Sequence, residues 1–168
     1  TDLDGIPVVI SRTGWTGEMG YEIYLRDPSR GNELWERIME AGKPHSIRPI
    51  APCEARKIEA GILNHGQSMT IANNPYEIMG FERLVEDQSA DYIGKQALAK
   101  IKQEGVKKRM VGITVSLERT ALWMEDAWPV YKDGKQIGKI TDLAWSPRLE
   151  KNIGFVWLET EHSSPGTE

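Results

Sequence analysis

The chain has 168 residues, 27% charged and 39% hydrophobic, with a net charge of −4. That composition is globular, long enough for one domain or two small ones, and gives no general attraction to nucleic acid or anionic membrane surfaces. One cysteine, Cys53, excludes an intramolecular disulfide, and without a long apolar run the setting expected is reducing and cytoplasmic, with no membrane partner.

The first stretch, Ile6 to Leu25, reads IPVVISRTGWTGEMGYEIYL. Strand-forming runs at Ile6–Ser11 and Tyr21–Leu25 flank a middle punctuated by Gly14, Gly17 and Gly20, which predicts a hairpin with a broad loop. Alternation along the second strand places Tyr21, Ile23 and Leu25 on the expected core side and Glu22 with Tyr24 on the other. Read from the residues alone, that second face is either a solvated strand surface or a ligand wall beside a loop whose glycines allow close backbone approach. Trp15, in the same loop, is either a hydrophobic plug or a ring for stacking on a flat heterocycle or a cation.

Asp27-Pro28-Ser29 then signals a helix start, and Leu34, Trp35, Ile38 and Met39 predict an amphipathic helix over Glu33–Ala41 with Trp35 as a core anchor. Gly42 and Pro44 stop it. A connector with three prolines leads to a second helix expected over Glu54–Leu63 and ended by Gly66, with Cys53 as buried packing and His65 as a helix-end cap. Asn73-Asn74-Pro75 forms a turn, and Tyr76–Val85 is expected as a strand bent at Gly80, with Tyr76 and Glu77 either lining a pocket or facing solvent. The polar stretch Glu86–Ala90 is the expected domain boundary. A helix over Gly94–Gly105 follows, its apolar side Ala97, Leu98 and Ile101, and then strands over Arg109–Ser116, Ala127–Tyr131, Gln136–Leu143 and Ile153–Leu158. Asp133-Gly134 is a strong hairpin signal between the middle two. Lys107, Lys108 and Arg109 read as a solvated strand start.

Other chemistries find little support. His45, His65, His162 and Cys53 lack the paired spacings of zinc sites, Cys53 is flanked by Pro52 and Glu54, and the glycines of TGEMG follow no phosphate-loop pattern.

The run RTGWTGEMGYEIYL resembles the signature hairpin of the folate-binding aminomethyltransferase family, the T-protein of the glycine cleavage system and its relatives. PCEARKIEAG lines up with that family's ARD-x-LRLEAG through Glu59, Ala60 and Gly61, except that the family arginine position is Cys53. NNPYEIMGFERLVE and DYIGKQALAKIKQEGVKKRMVGI are more similar to the dimethylsulfoniopropionate demethylase branch, whereas Thr16-Gly17-Glu18 follows the general T-protein form. Ser146-Pro147 with Asn152-Ile153-Gly154 resembles an element of the family's C-terminal barrel.

The resemblance implies an α+β fold: a hairpin-and-helix folate-binding portion over 1–88, then a linker helix and a small, incomplete β-barrel over 89–168. It implies tetrahydrofolate as cofactor, held by Glu22, with Tyr24 shaping the pocket and Trp15 closing it. A carboxylate can accept the amino group and ring N–H of a pterin edge together, as charge-assisted bonds worth roughly 1.5–3 kcal/mol each when sheltered. The implied reaction passes a methyl or aminomethyl group from a small sulfonium or amine donor to N5 of tetrahydrofolate. The alternative is a non-catalytic folate-binding or assembly module. Because the chain opens on Thr1, stops on the turn signal SSPGTE and has no counterpart of the family's catalytic aspartate, it is expected to be part of a longer protein, inactive alone, with an open barrel edge available to a second copy.

Overall fold

The computed structural model describes residues 1–86, 88–120 and 124–168. Two compact units divide at Cys53/Glu54. Within the polar stretch expected to be a boundary, Asp87 lies outside the described residues.

The first unit is a three-stranded antiparallel sheet, β1 (Asp2–Leu3), β2 (Ile6–Ser11) and β3 (Glu22–Leu25), in that spatial order, with one helix, α1 (Gly31–Gly42). The hairpin forms where its strand-forming runs predict. Val8 faces Leu25, Val9 faces Tyr24, Ile10 faces Ile23 and Ser11 faces Glu22. Ile6, Val8 and Leu34 are buried together, with Leu3, Leu25 and Ile38 packed around them. Asp27 starts the helical turn before α1 by accepting from the backbone N–H of Ser29 at 3.1 Å.

That small core corrects two expectations. Of the expected core trio on β3, Leu25 packs inward but Tyr21 and Ile23 are exposed, because the cluster gathers at the Leu25 end of the hairpin. Trp35 is exposed rather than a core anchor, since Leu34 and Ile38, one turn apart, hold the buried stripe and Trp35 lies about 100° round the helix from Leu34.

The second unit is built on an open four-stranded antiparallel sheet: β4 (Lys108–Val115), β5 (Trp128–Lys132), β6 (Lys135–Ser146) and β7 (Lys151–Glu159), in the spatial order β4-β7-β6-β5. The sheet does not close on itself. Asp133 and Gly134 both take positive φ, 50° and 78°, which the tight Asp-Gly hairpin between β5 and β6 requires. The central strand β7 is buried at every position from Asn152 to Trp157, so both faces of the sheet are covered. On one face Ile153, Phe155 and Trp157 pack with Met110, Ile78 and Ile58; on the other, Val156 packs with Ile140, Leu143 and Met124.

Helix α2 spans only Glu54–Glu59, shorter than the sequence predicts, and the positive φ of Gly61 (69°) stops it well before Gly66. His65 therefore caps no helix; it forms an isolated bridge with Met69. Cys53 precedes α2 in irregular chain and is exposed, not buried packing. The segment expected as a bent strand is two 3-10 turns, Pro75–Glu77 and Glu82–Leu84, because Asn74 and Glu77 form a capping box that winds the backbone into a turn. Only Ile78 keeps a strand-like contact, a parallel bridge to Met110. Helix α3 (Lys95–Glu104) lies where predicted, although none of its residues is fully buried. Among the described residues no helix is long and apolar enough to cross a membrane.

Candidate functional site

The first unit presents its chemistry on the hairpin face opposite its core. The register places Val9 with Tyr24 and Ser11 with Glu22 on that face, so the carboxylate and the phenol of β3 stand two residues apart on one side. Glu22 is half-buried and Tyr24 exposed. Proximity to the Glu22 charge, then partial desolvation, then a hydrogen bond to the same carboxylate push the Tyr24 phenol above its ordinary range. The pair is thus electrostatically linked.

Thr13, the second residue past the end of β2, donates its hydroxyl to Glu22 Oε2 and lies 3.0 Å from the Ser11 hydroxyl. Among the described residues no arginine pairs with Glu22. Beside this group the glycine loop forms a hollow of about 310 Å³ lined by Arg12, Thr13, Gly14, Gly17, Glu18, Met19 and Gly20. Gly17 takes a φ of 70°, the left-handed turn that lets the loop fold over while Gly14 and Gly20 leave open space beside their backbone. Glu22, Tyr24 and Trp15 do not themselves line the hollow; Thr13 belongs both to it and to the Glu22 group. Trp15 is half exposed and so is not a buried plug.

In the second unit the structure reveals a buried polar cluster that no sequence motif marks. Lys57 of α2, 4% exposed, bonds Asp142 Oδ1 at 2.7 Å and Glu54 Oε2 at 2.6 Å, while the Ser68 hydroxyl reaches the same Asp142 oxygen at 3.1 Å. The Trp157 indole N–H donates to the Ser68 carbonyl at 2.8 Å. Among the described residues Asp142 Oδ2 and Thr141 Oγ1 are buried without hydrogen-bond partners. The signal for Lys57 was its position beside Ile58 on a short helix; its partner lies 85 residues away, which no local pattern reveals.

Two elements of the resemblance meet here. Ser146 is fully buried and donates to Glu59 Oε1 at 2.5 Å, which joins the EAG segment to the Ser-Pro element, and Ser146 Oγ also accepts from the backbone N–H of Leu149. Asn152 ties down residues 117–120 through Leu117 O at 2.9 Å, Glu118 O at 3.1 Å and the Thr120 N–H at 3.1 Å. Tyr76 lines a second hollow, of about 240 Å³, with Glu82, Glu86, Lys102 and Arg109, whereas Glu77 is occupied in the capping box. In the group nearest to a metal-ligand set among the described residues, Glu159, Glu161 and His162, Glu159 is engaged in an ion pair with Lys135 at 2.8 Å and His162 Nε2 lies 3.5 Å from Glu161 Oε1.

A mixed α+β chain with a glycine-loop hairpin in one unit and an open antiparallel sheet in the next defines the class as the T-protein fold. The solved structure of glycine cleavage system aminomethyltransferase T from Bartonella henselae matches 95% of this chain and 44% of its own length, with a TM-score of 0.74 at 21% identity, a likeness of fold. The family description GCVT N-terminal domain matches residues 1–88, and the Glycine cleavage T-protein C-terminal barrel domain matches 108–168. The chain belongs to this T-protein family. Among its relatives, dimethylsulfoniopropionate demethylase DmdA of Ruegeria pomeroyi is 32% identical over 98% of this chain and 44% of its own length. Aminomethyltransferases of Clostridium botulinum and Halalkalibacterium halodurans are 39% and 35% identical over 99% of this chain and 44% and 45% of theirs. The chain therefore spans less than half the length of these relatives.

Proposed function

We propose that this chain supplies the folate-binding hairpin and the C-terminal sheet of a tetrahydrofolate-dependent one-carbon transferase, with residues 1–88 and 89–168 as its two functional portions. The observation that carries the reading is Glu22: a half-buried carboxylate on the face opposite the hairpin's core, beside an exposed tyrosine and a glycine-walled hollow. The donor set suits a pterin edge, because an ionised carboxylate accepts at both oxygens, and the Thr13 hydroxyl reaches Oε2. Trp15 and Tyr24 offer aromatic faces to a flat heterocycle or to a cationic donor. When bound, tetrahydrofolate supplies the nitrogen that accepts the one-carbon unit; the role of this chain's residues is to orient it.

The donor is a small sulfonium or amine, as the mixed likeness to a demethylase and to aminomethyltransferases suggests, and the exposed rings suit either. A folate-binding or assembly module without catalysis is the alternative that the same hairpin serves.

The test is a fluorescence titration of the chain with 5-methyltetrahydrofolate, reading tryptophan emission. Glu22→Gln retains shape but loses the charge, and the affinity should fall roughly 10- to 100-fold, the loss expected for a charge-assisted bond. Equal affinity in the two proteins would sink the assignment. A methyl-transfer assay with dimethylsulfoniopropionate or an aminomethyl donor then separates catalysis from binding alone, and the expected result for this chain by itself is no turnover.

A further inference from the structure

We propose that Thr13 is a positioning residue for Glu22: its hydroxyl holds Oε2 and so sets the orientation in which the carboxylate meets the bound heterocycle. This rests on the reading of Glu22 as the folate-binding group.

Thr13 Oγ1 lies within hydrogen-bond reach of both Glu22 Oε2 and Ser11 Oγ, yet carries one proton. The carboxylate can only accept, so that proton goes to Glu22, and the Ser11 hydroxyl, 3.0 Å away, is the donor to Thr13. Ser11 and Glu22 are directly opposed in the strand register, so both ends of the relay are fixed by the ladder itself. Its middle member sits two residues beyond β2 and bridges the strand end to the glycine loop, where it also lines the hollow.

A glutamate on an open strand face has three rotatable bonds and samples many orientations. Anchoring Oε2 restricts that freedom before the ligand arrives, and preorganisation of this kind raises affinity by lowering the ordering cost of binding. A bond from a neutral hydroxyl leaves the carboxylate charged, whereas an arginine in the same place would compete with the ligand for it. Threonine also suits the place sterically, because its branched Cβ restricts χ1 and so aims the hydroxyl. Because the Glu22 charge is the first cause of the raised Tyr24 titration, that titration reports where the carboxylate is held.

The experiment compares Thr13→Val, which keeps shape and branching but removes the hydroxyl, with Thr13→Ser, which restores it. Both are measured in the full chain by titration with 5-methyltetrahydrofolate and by the pH titration of the Tyr24 ring signals in NMR. Thr13→Val should weaken binding about tenfold, the effect of losing one such bond, and move the Tyr24 titration down toward its ordinary range. Thr13→Ser should stay close to the parent in both. An unchanged Tyr24 titration in Thr13→Val, with the cross-strand contacts of Ser11 and Glu22 intact, overturns the proposal, as does a Thr13→Ser protein that behaves like Thr13→Val. If the parent chain binds no folate the functional reading fails, and the Tyr24 titration alone then decides whether Thr13 holds the carboxylate. Should Thr13→Val disturb the hairpin, Ser11→Ala removes the first hydroxyl of the relay and is expected to move both readouts part of the way; no movement in either counts against the relay.

Discussion

At the residue scale the largest energetic commitment is the buried Lys57–Asp142 pair. Two charges withdrawn from water cost several kcal/mol each, offset here by short contacts to Asp142 and Glu54 and by the Ser68 hydroxyl. Removing one partner strands the other. Lys57→Met should therefore destabilise the second unit by about 3–5 kcal/mol, and the double change Lys57→Met with Asp142→Leu should recover a large part of the loss. Urea unfolding midpoints for the single and double variants measure this; a single variant as stable as the parent would show the pair to be energetically idle. Residues of this kind mark the limit of sequence reading. The hairpin that carries Glu22, Tyr24 and Trp15 was legible because its strand runs and glycines lie within twenty consecutive residues. Lys57, Asp142, Ser68 and Asn152 were not, because each is defined by a partner that the fold brings from far along the chain.

At the scale of elements, the strands and turns followed local chemistry closely. Asp-Gly placed the β5–β6 hairpin, and the apolar run of Ile153–Leu158 placed β7. The errors came where tertiary packing or a cap outweighed pattern: the capping box of Asn74 and Glu77 winds up a segment that reads as a strand, and Gly61 halts α2 while its apolar spacing continues. The close approach of β6 to β7 was equally hidden. A methyl group added at Gly154 would sit 2.1 Å from the Asp142 carbonyl oxygen, and one at Gly138 2.0 Å from that of Trp157. Between them the register slips between Ile140 and Asp142, a bulge that turns Asp142 into the buried cluster. Gly154→Ala should thus cost about 3 kcal/mol, near the upper end for overpacking, because the neighbour is backbone and cannot swing away. Gly112→Ala, on a strand with open space at that position, should cost less than 1 kcal/mol in the same denaturation series.

The caps of the first unit make a prediction about acid. Ser29 side-chain and backbone hydrogen bonds hold the Asp27 carboxyl below its ordinary range, and the Arg30 hydrogen bond does the same for Glu33. Both folded values are lower than the unfolded ones. Their contribution is therefore fully present above the ordinary carboxylate range and is lost as pH falls through the lowered folded values. Because both groups are solvent-facing the effect is modest, and it should appear as a shallower acid limb in the melting temperature of Asp27→Asn relative to the parent. An identical acid limb would show that the cap contributes nothing to pH-dependent stability.

At the scale of the whole molecule, the four-stranded sheet ends in two different rims. The outer side of β4 is partly occupied by the bridge from Ile78 and by the Met79 N–H donating to the Met110 carbonyl at 3.3 Å. On β5, Pro129 removes a donor and Lys132 adds charge, two features that discourage strand addition. If a second copy associates through the sheet, the partly bare end of β4 beyond Met110 is the better candidate, and Gly112→Pro should abolish a dimer seen by analytical ultracentrifugation. A monomeric parent chain would remove that reading altogether.

The position of Cys53 adds one practical consequence. A lone thiol at the surface has no mate within its own chain, so air oxidation of a stored sample can join it only to another molecule. A doubled mass that vanishes with dithiothreitol would record that chemistry, and only a species surviving the reductant would speak to association through the sheet.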